Sequence, residues 1–334
     1  MKIKFVSAFF LFFTSFIFSA HAGGAGATQT GGSAQGAQTA AQLAAALNAM
    51  NEGSARLSGN TVTLTGDVRV EGDLPIPSGD TIINGNGTIN LTGKGSLFTI
   101  GEGKKLTLDG VTLVGVADNN EPLVLVAEGG ELVLVSGKIT GNTHVSDNFT
   151  DSGDGVEVNG GIFTMESGTI SGNTTTNNEG GGGVFVIGNG VFTMKDGAIT
   201  GNTEGGVLLL RGGTFNMKGG TISGNTIRGG GSVRMSNGGT FNMKGGTISG
   251  NTASGSSGGV VVNNSTSTFT MIGGRIQSNT DSDGFTRNGW SLRLANNAKA
   301  KWGEGGTYTK GGVTQTGGSD ITDTNDTLIA IPAR

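Results

Sequence analysis

A twelve-residue phrase, FNMKGGTISGNT in its cleanest form, recurs down the chain with its internal spacing intact, and it makes the protein an array rather than an ordinary globule. Copies occupy residues 163–174, 192–203, 215–226, 241–252 and 269–280, with a fainter version at 132–143. The intervals between them run from 23 to 31 residues. A unit of that size cannot bury its apolar face alone, so each copy must stack on the next.

The period inside the unit identifies its secondary structure. Val126, Val158, Val186, Leu209, Met235 and Val262 each precede the phrase by five to seven residues, and each has an apolar partner two residues earlier. Hydrophobes two apart, rich in Val, Phe and Ile, have strand spacing. One copy therefore reads as a strand (Val156, Val158), a turn, a strand (Phe163, Met165), a turn at Gly168, a short strand around Ile170, then Asn173-Thr174 and a variable loop. Three short strands and three turns make one coil of a parallel β-helix, each strand pairing with its equivalents at about 4.8 Å.

The interior of such a coil is a set of columns of like residues. Phe163, Phe192, Phe215, Phe241 and Phe269 form one. Met165, Met194, Met217, Met243 and Met271 form another, and Ile170, Ile199, Ile222, Ile248 and Ile276 a third. Asn142, Asn173, Asn202, Asn225, Asn251 and Asn279 predict an internal amide ladder, compatible with the Asn preference for left-handed turn geometry. Six identical amides at equivalent positions define a scaffold and not a catalytic site.

With these residues in place the chain resembles the right-handed parallel β-helix repeat proteins, the pectin-lyase-like superfamily. Within it, the chain is similar to Gly-, Asn- and Thr-rich repeats of bacterial secreted and cell-surface proteins, adhesin-like passengers included. The resemblance covers about residues 40–309. It implies the right-handed sense, which spacing alone leaves open, and it implies little about activity, because the superfamily holds lyases, hydrolases and adhesins. The expected fold is all-β, with about nine coils over residues 54–309.

The flanks divide accordingly. Residues 1–22 have a charged start, an apolar run from Phe5 to Ala20 and the small-x-small site Ala20-His21-Ala22, the pattern of a secretory signal peptide. Residues 23–38 read as a flexible linker, and 39–53 as a capping helix with Leu43, Leu47 and Met50 on one face and Gly53 at its stop. Such a helix covers the open end of the first coil. Residues 310–334 are expected to form a polar tail and distal cap.

Gly accounts for 66 of 334 residues, as tight turns require, without the period of collagen. Removing residues 1–22 takes Lys2 and Lys4 with it and leaves 19 basic against 25 acidic residues, a net charge of −6. The cations are scattered, which argues against nucleic acid as a partner. The absence of cysteine excludes disulfides, thiolate metal sites and lipoprotein acylation.

Catalytic constellations are missing from the sequence. Beyond residue 22 the single histidine is His144, so neither a triad nor a His-rich metal site can be assembled. The outward position of the first strand runs Glu157, Phe185, Leu208, Arg234, Val261 and Arg293, which is no cluster of calcium-binding acids. No cofactor and no metal ion is expected.

Variation concentrates in the loop after each Asn-Thr. Its lengths are 12 residues at 144–155, nine at 175–183, three at 204–206, six at 227–232, seven at 253–259 and 11 at 281–291. Long loops at both ends of one edge would flank a shallow saddle. They carry Asp147, Phe149, Asp151 and Asp154 beside His144 in the first, and Asp283, Phe285, Arg287 and Trp290 in the last. Aromatics among polar neighbours suit carbohydrate or protein contact. The expectation is an exported surface or envelope protein, adhesin-like, contacting an extracellular glycan or a host or matrix protein, without catalysis and without a membrane span after residue 22. The alternative is a polysaccharide lyase or glycoside hydrolase with an unfamiliar site.

Overall fold

The computed structural model describes residues 33–145, 155–176, 181–254, 257–281 and 290–295, followed by separate strands between 299 and 330. Side chains are described for 40–145, 155–176, 181–254, 257–280 and 292–294. The signal-peptide expectation and most of the linker fall outside these residues.

The chain is a parallel β-solenoid. One coil runs Val156–Asn159, Ile162–Met165, Thr169–Ser171 and the two-residue strand Thr174–Thr175. The first three belong to sheets of 11, 12 and nine strands, named here the valine, phenylalanine and isoleucine sheets after their inward residues. Seven turns carry a strand in all three sheets, against the expected nine. The first two turns, at Thr61–Leu64 with Val68–Val70 and at Gly79–Gly85 with Thr88–Leu91, have no valine-sheet strand. Pro75 and Pro77 stand where the second of them would form, and proline cannot donate to a ladder.

Register is residue for residue. Phe163 pairs with Phe192, Phe192 with Phe215, Phe215 with Phe241 and Phe241 with Phe269. Their rings stack with centroids 4.8 Å apart, opening to 5.1 Å at the last step, and all five are fully buried. The Met and Ile columns line the same interior. The Gly that closes each phenylalanine-to-isoleucine turn is fixed by this packing: Gly220 has φ +80°, and a Cβ there would lie 2.5 Å from Met194 Cε of the preceding coil. Any side chain at that position would collide with the methionine column while straining the backbone.

Asparagine fills the next corner. From Asn173 to Asn251 each Nδ2 donates forward to the next Oδ1, at 3.2 Å from Asn173 to Asn202, then 3.0 Å to Asn225, 2.9 Å to Asn251 and 2.9 Å to Asn279. The same amide donates backward to an isoleucine carbonyl, as from Asn225 to Ile199 at 3.1 Å. Each Oδ1 also accepts the preceding asparagine's backbone N–H. The ladder begins one coil earlier than the repeats suggested, with Asn119 donating to Asn142 Oδ1 at 2.8 Å.

The ends depart from expectation in informative ways. The helix spans Ser33–Met50, starting six residues before the expected 39, because Ala34, Gln35, Ala37 and Gln38 extend it with only Gly36 opposing. Its buried stripe is Ala40, Leu43, Ala44 and Leu47, while Met50, expected on that face, is 51% exposed. Met50 is the helix's last residue, and the chain turns away there through Asn51 and Gly53. The stripe packs on the first strands, and Ser54 Oγ closes the junction by donating to the Leu47 carbonyl at 3.0 Å. Ala55–Ser58 then folds back antiparallel on Thr61–Leu64. In the irregular coil that follows, Ile83 points inward. At the far end Thr327–Ala330 and Asp320–Thr322 lie antiparallel on Trp290–Ala295 and Lys299–Trp302, so the expected polar tail supplies terminal strands for two of the sheets.

Phe215→Ala is expected to cost about 3–5 kcal/mol by opening a cavity inside the stack. Asn225→Ala should cost about 1–3 kcal/mol, since it strands the Asn202 amide. Denaturant melts check both, and a Phe215→Ala protein that melts with the wild type would place that ring outside the core.

Candidate functional site

The loop edge is built differently from a row of free turns. After each asparagine corner the chain makes one more short strand, pairing Thr143–His144 with Thr174–Thr175, and Thr226–Ile227 with Thr252–Ala253 and Thr280–Asp281. Thr203 bridges the two sets. The residues expected to open the loops therefore stack: His144, Thr175, Glu204, Ile227 and Ala253 are all at most 5% exposed. His144, grouped above with the unusual loop residues, belongs to this buried column, and the loops proper start one residue later.

Asp147, Phe149, Asp151, Asp154, Asp283, Phe285 and Arg287 lie outside the described residues. Trp290 does not belong to a loop; it opens the strand Trp290–Ala295, with its backbone opposite Ala330. Its side chain is outside the described set.

The outer face of the valine sheet holds a second apolar layer. Glu157, Phe185, Leu208, Arg234, Val261 and Arg293 are in register across it, as the strand spacing required. Phe185, Leu208 and Val261 are nevertheless at most 4% exposed. Phe185, Ile187 and Leu208 form a cluster separate from the main core, with Leu210 against it. The returning loop covers them at close range: a Cβ on Gly181 would sit 3.2 Å from Leu208 Cβ and 3.5 Å from Phe185 Cβ.

Beside this cover the same face opens into a groove of about 410 Å³, within the range of small-ligand sites. Leu125, Glu157, Asn159 and Ile187 form its floor, from three successive strands of the valine sheet. The segment Asn120, Glu121 and Pro122 lines one end with His144, and Arg211 lines the other. The Glu121 segment is held by the ladder, because Asn142 Nδ2 donates to the Glu121 carbonyl at 3.0 Å. Asn159 Nδ2 donates to Glu157 Oε1 at 3.2 Å, presenting the carboxylate and the amide together. Such a groove can accept hydroxyl protons along its floor and one anionic group at its Arg211 end. Of these residues, sequence reasoning singled out Glu157 as outward and His144 as unusual. Register extended to the turns that follow each strand would have reached Asn159 and Arg211.

Glu204 is the one deeply buried carboxylate among the described residues, at 1% exposure. It accepts the Arg228 backbone N–H at 3.0 Å and pairs with Arg228 Nε at 3.3 Å. Burial raises its pKa, with the Arg228 hydrogen bond and charge opposing.

Among the described residues no group of three or more His, Cys, Asp or Glu side chains could hold a metal ion, and no helix is long and apolar enough to cross a membrane. Comparison with protein-family models, with curated proteins and with solved structures found no match.

The raised pKa gives a pH test. A carboxyl that binds its proton more tightly folded than unfolded makes folding take up a proton, so this group's contribution to stability grows as pH falls from neutral towards its ordinary value of 4.5. Other carboxylates add their own slopes, so the comparison is with Glu204→Gln. Denaturant midpoints at pH about 7 and about 5 should show the wild type gaining relative to the variant on acidification.

Proposed function

We propose that the chain is an exported β-solenoid of the cell surface or envelope that binds an extracellular glycan or a host or matrix protein, adhesin-like and without catalysis. The observation that carries this reading is the groove beside the loop edge, where polar side chains from several coils converge on a rigid floor. The signal-like residues 1–22 support export. A right-handed sense and kinship with the pectin-lyase-like superfamily are what the resemblance of the repeats implies.

A second reading keeps the groove and adds chemistry. Glu121, Glu157, His144 and Arg211 share it, and acids with a base are what a polysaccharide lyase or hydrolase uses. Activity on polymers separates the two readings.

Purified residues 23–334 are expected to retain glycans or matrix proteins on arrays while releasing neither unsaturated product nor reducing ends from uronate polymers, with or without calcium. Turnover that survives repurification and disappears in Glu157→Gln would establish the enzyme instead. Phe149→Ala is expected to weaken attachment with little change in melting temperature. If that variant lowers stability and leaves binding intact, Phe149 is a packing residue. Antibody against intact cells reads the location, surface labelling favouring an adhesin over a periplasmic enzyme.

A further inference from the structure

One turn beside the groove has the wrong residue for its backbone. Each coil leaves the valine sheet through a turn whose two central residues take positive φ in three successive coils: Gly188 at 61° with Asn189 at 64°, Arg211 at 48° with Gly212 at 85°, and Asn237 at 50° with Gly238 at 89°. Glycine and asparagine adopt this conformation readily, and Asn-Gly is the favoured pair. Arginine does not, so the middle turn holds a strained residue where both neighbours hold a suitable one. Strain kept at a ligand-sized groove points to use.

What surrounds Arg211 indicates what it would use. The register Val124–Val156–Val184–Val207 places Glu128, Gly160, Gly188 and Arg211 at equivalent turn positions. Two glycines thus separate Glu128 from Arg211 over three strand steps, about 14 Å, with the Asn159 side-chain oxygen lying against Gly188. Arg211 is exposed, and among the described residues it forms no salt bridge. The groove is therefore bipolar, with Glu121 and Glu157 towards one end, His144 beside them, and a single guanidinium at the other.

We propose that Arg211 is the specificity-determining residue of this groove, selecting an anionic substituent on a hydroxyl-rich glycan chain that lies along the solenoid axis. The guanidinium fork matches a carboxylate or a sulfate in two hydrogen bonds. The hydroxyls of the chain donate to Glu157, Asn159 and Glu121, and its backbone passes over Gly188, beside the Asn159 side-chain oxygen. The inference rests on the glycan-binding reading above and adds to it a charge preference and a direction.

The test uses residues 23–334 and four defined probes: a hyaluronan tetrasaccharide, its carboxyl-reduced counterpart, a 6-O-sulfated chitotetraose and plain chitotetraose. By calorimetry the parent is expected to bind at least one anionic probe about tenfold more tightly than its neutral partner, as a charge-assisted contact provides. Whichever pair discriminates identifies the anion as carboxylate or sulfate. Arg211→Asn, which installs the favoured Asn-Gly turn, should erase that preference and raise the melting temperature. A residue with a purely structural role would change melting alone. Equal binding within both pairs, or a preference that survives Arg211→Asn, overturns the role of Arg211 and leaves the glycan reading standing. Failure of the parent to bind any of the four removes the glycan reading itself.

Discussion

A buried side-chain amide has two donors and an acceptor to satisfy, and in this protein no single coil can satisfy them. Asn225 accepts from Asn202, donates to Asn251 and reaches back to Ile199, so each coil completes the hydrogen bonding of the coils on either side. Everything else is tied to that spacing. The phenylalanine rings meet at 4.8 Å because the amides and the strand ladders demand one strand step per coil. The turn glycine then has nowhere to put a side chain, because the methionine below already fills the space.

The same dependence explains the termini. A stack in which each coil serves its neighbours leaves the first and last coils with unmet groups, and both ends are closed by structure of another kind. The helix and an antiparallel strand cover the start, while antiparallel strands from the final residues add to the phenylalanine and valine sheets. Exposed sheet edges invite unwanted pairing, and these additions blunt it.

What was legible in the sequence is what repeats. Phe163 to Phe269 and Asn142 to Asn279 could be assigned to interior columns from spacing alone, because identical residues at identical offsets leave one consistent phase. Asn119 escaped notice, since it serves the same ladder from a coil that carries no copy of the phrase. Phe185 and Leu208 were placed correctly on the outer face, yet their burial depends on a returning loop that strand period cannot express. The groove was harder still. Glu121, Glu157 and Arg211 lie in different copies of an uneven repeat, and only the register between coils, with its extra turn residues, brings them to one face. Trp290 was misplaced because its strand begins before the alternating Leu292 and Leu294 that announce it.

Two of the coils, at 215–226 and 241–252, carry the identical phrase FNMKGGTISGNT. Their contribution to the interior is interchangeable, ring for ring and amide for amide. A duplication or loss of one such unit would therefore pass through the stack without disturbing its alignment, lengthening or shortening the rod by a single step. Most of the groove draws on less regular coils, which sit to one side of this interchangeable stretch. In a lineage of such chains, the length of the stack could vary by whole increments while the surface near residues 120–211 kept its shape, so length and recognition are free to evolve separately.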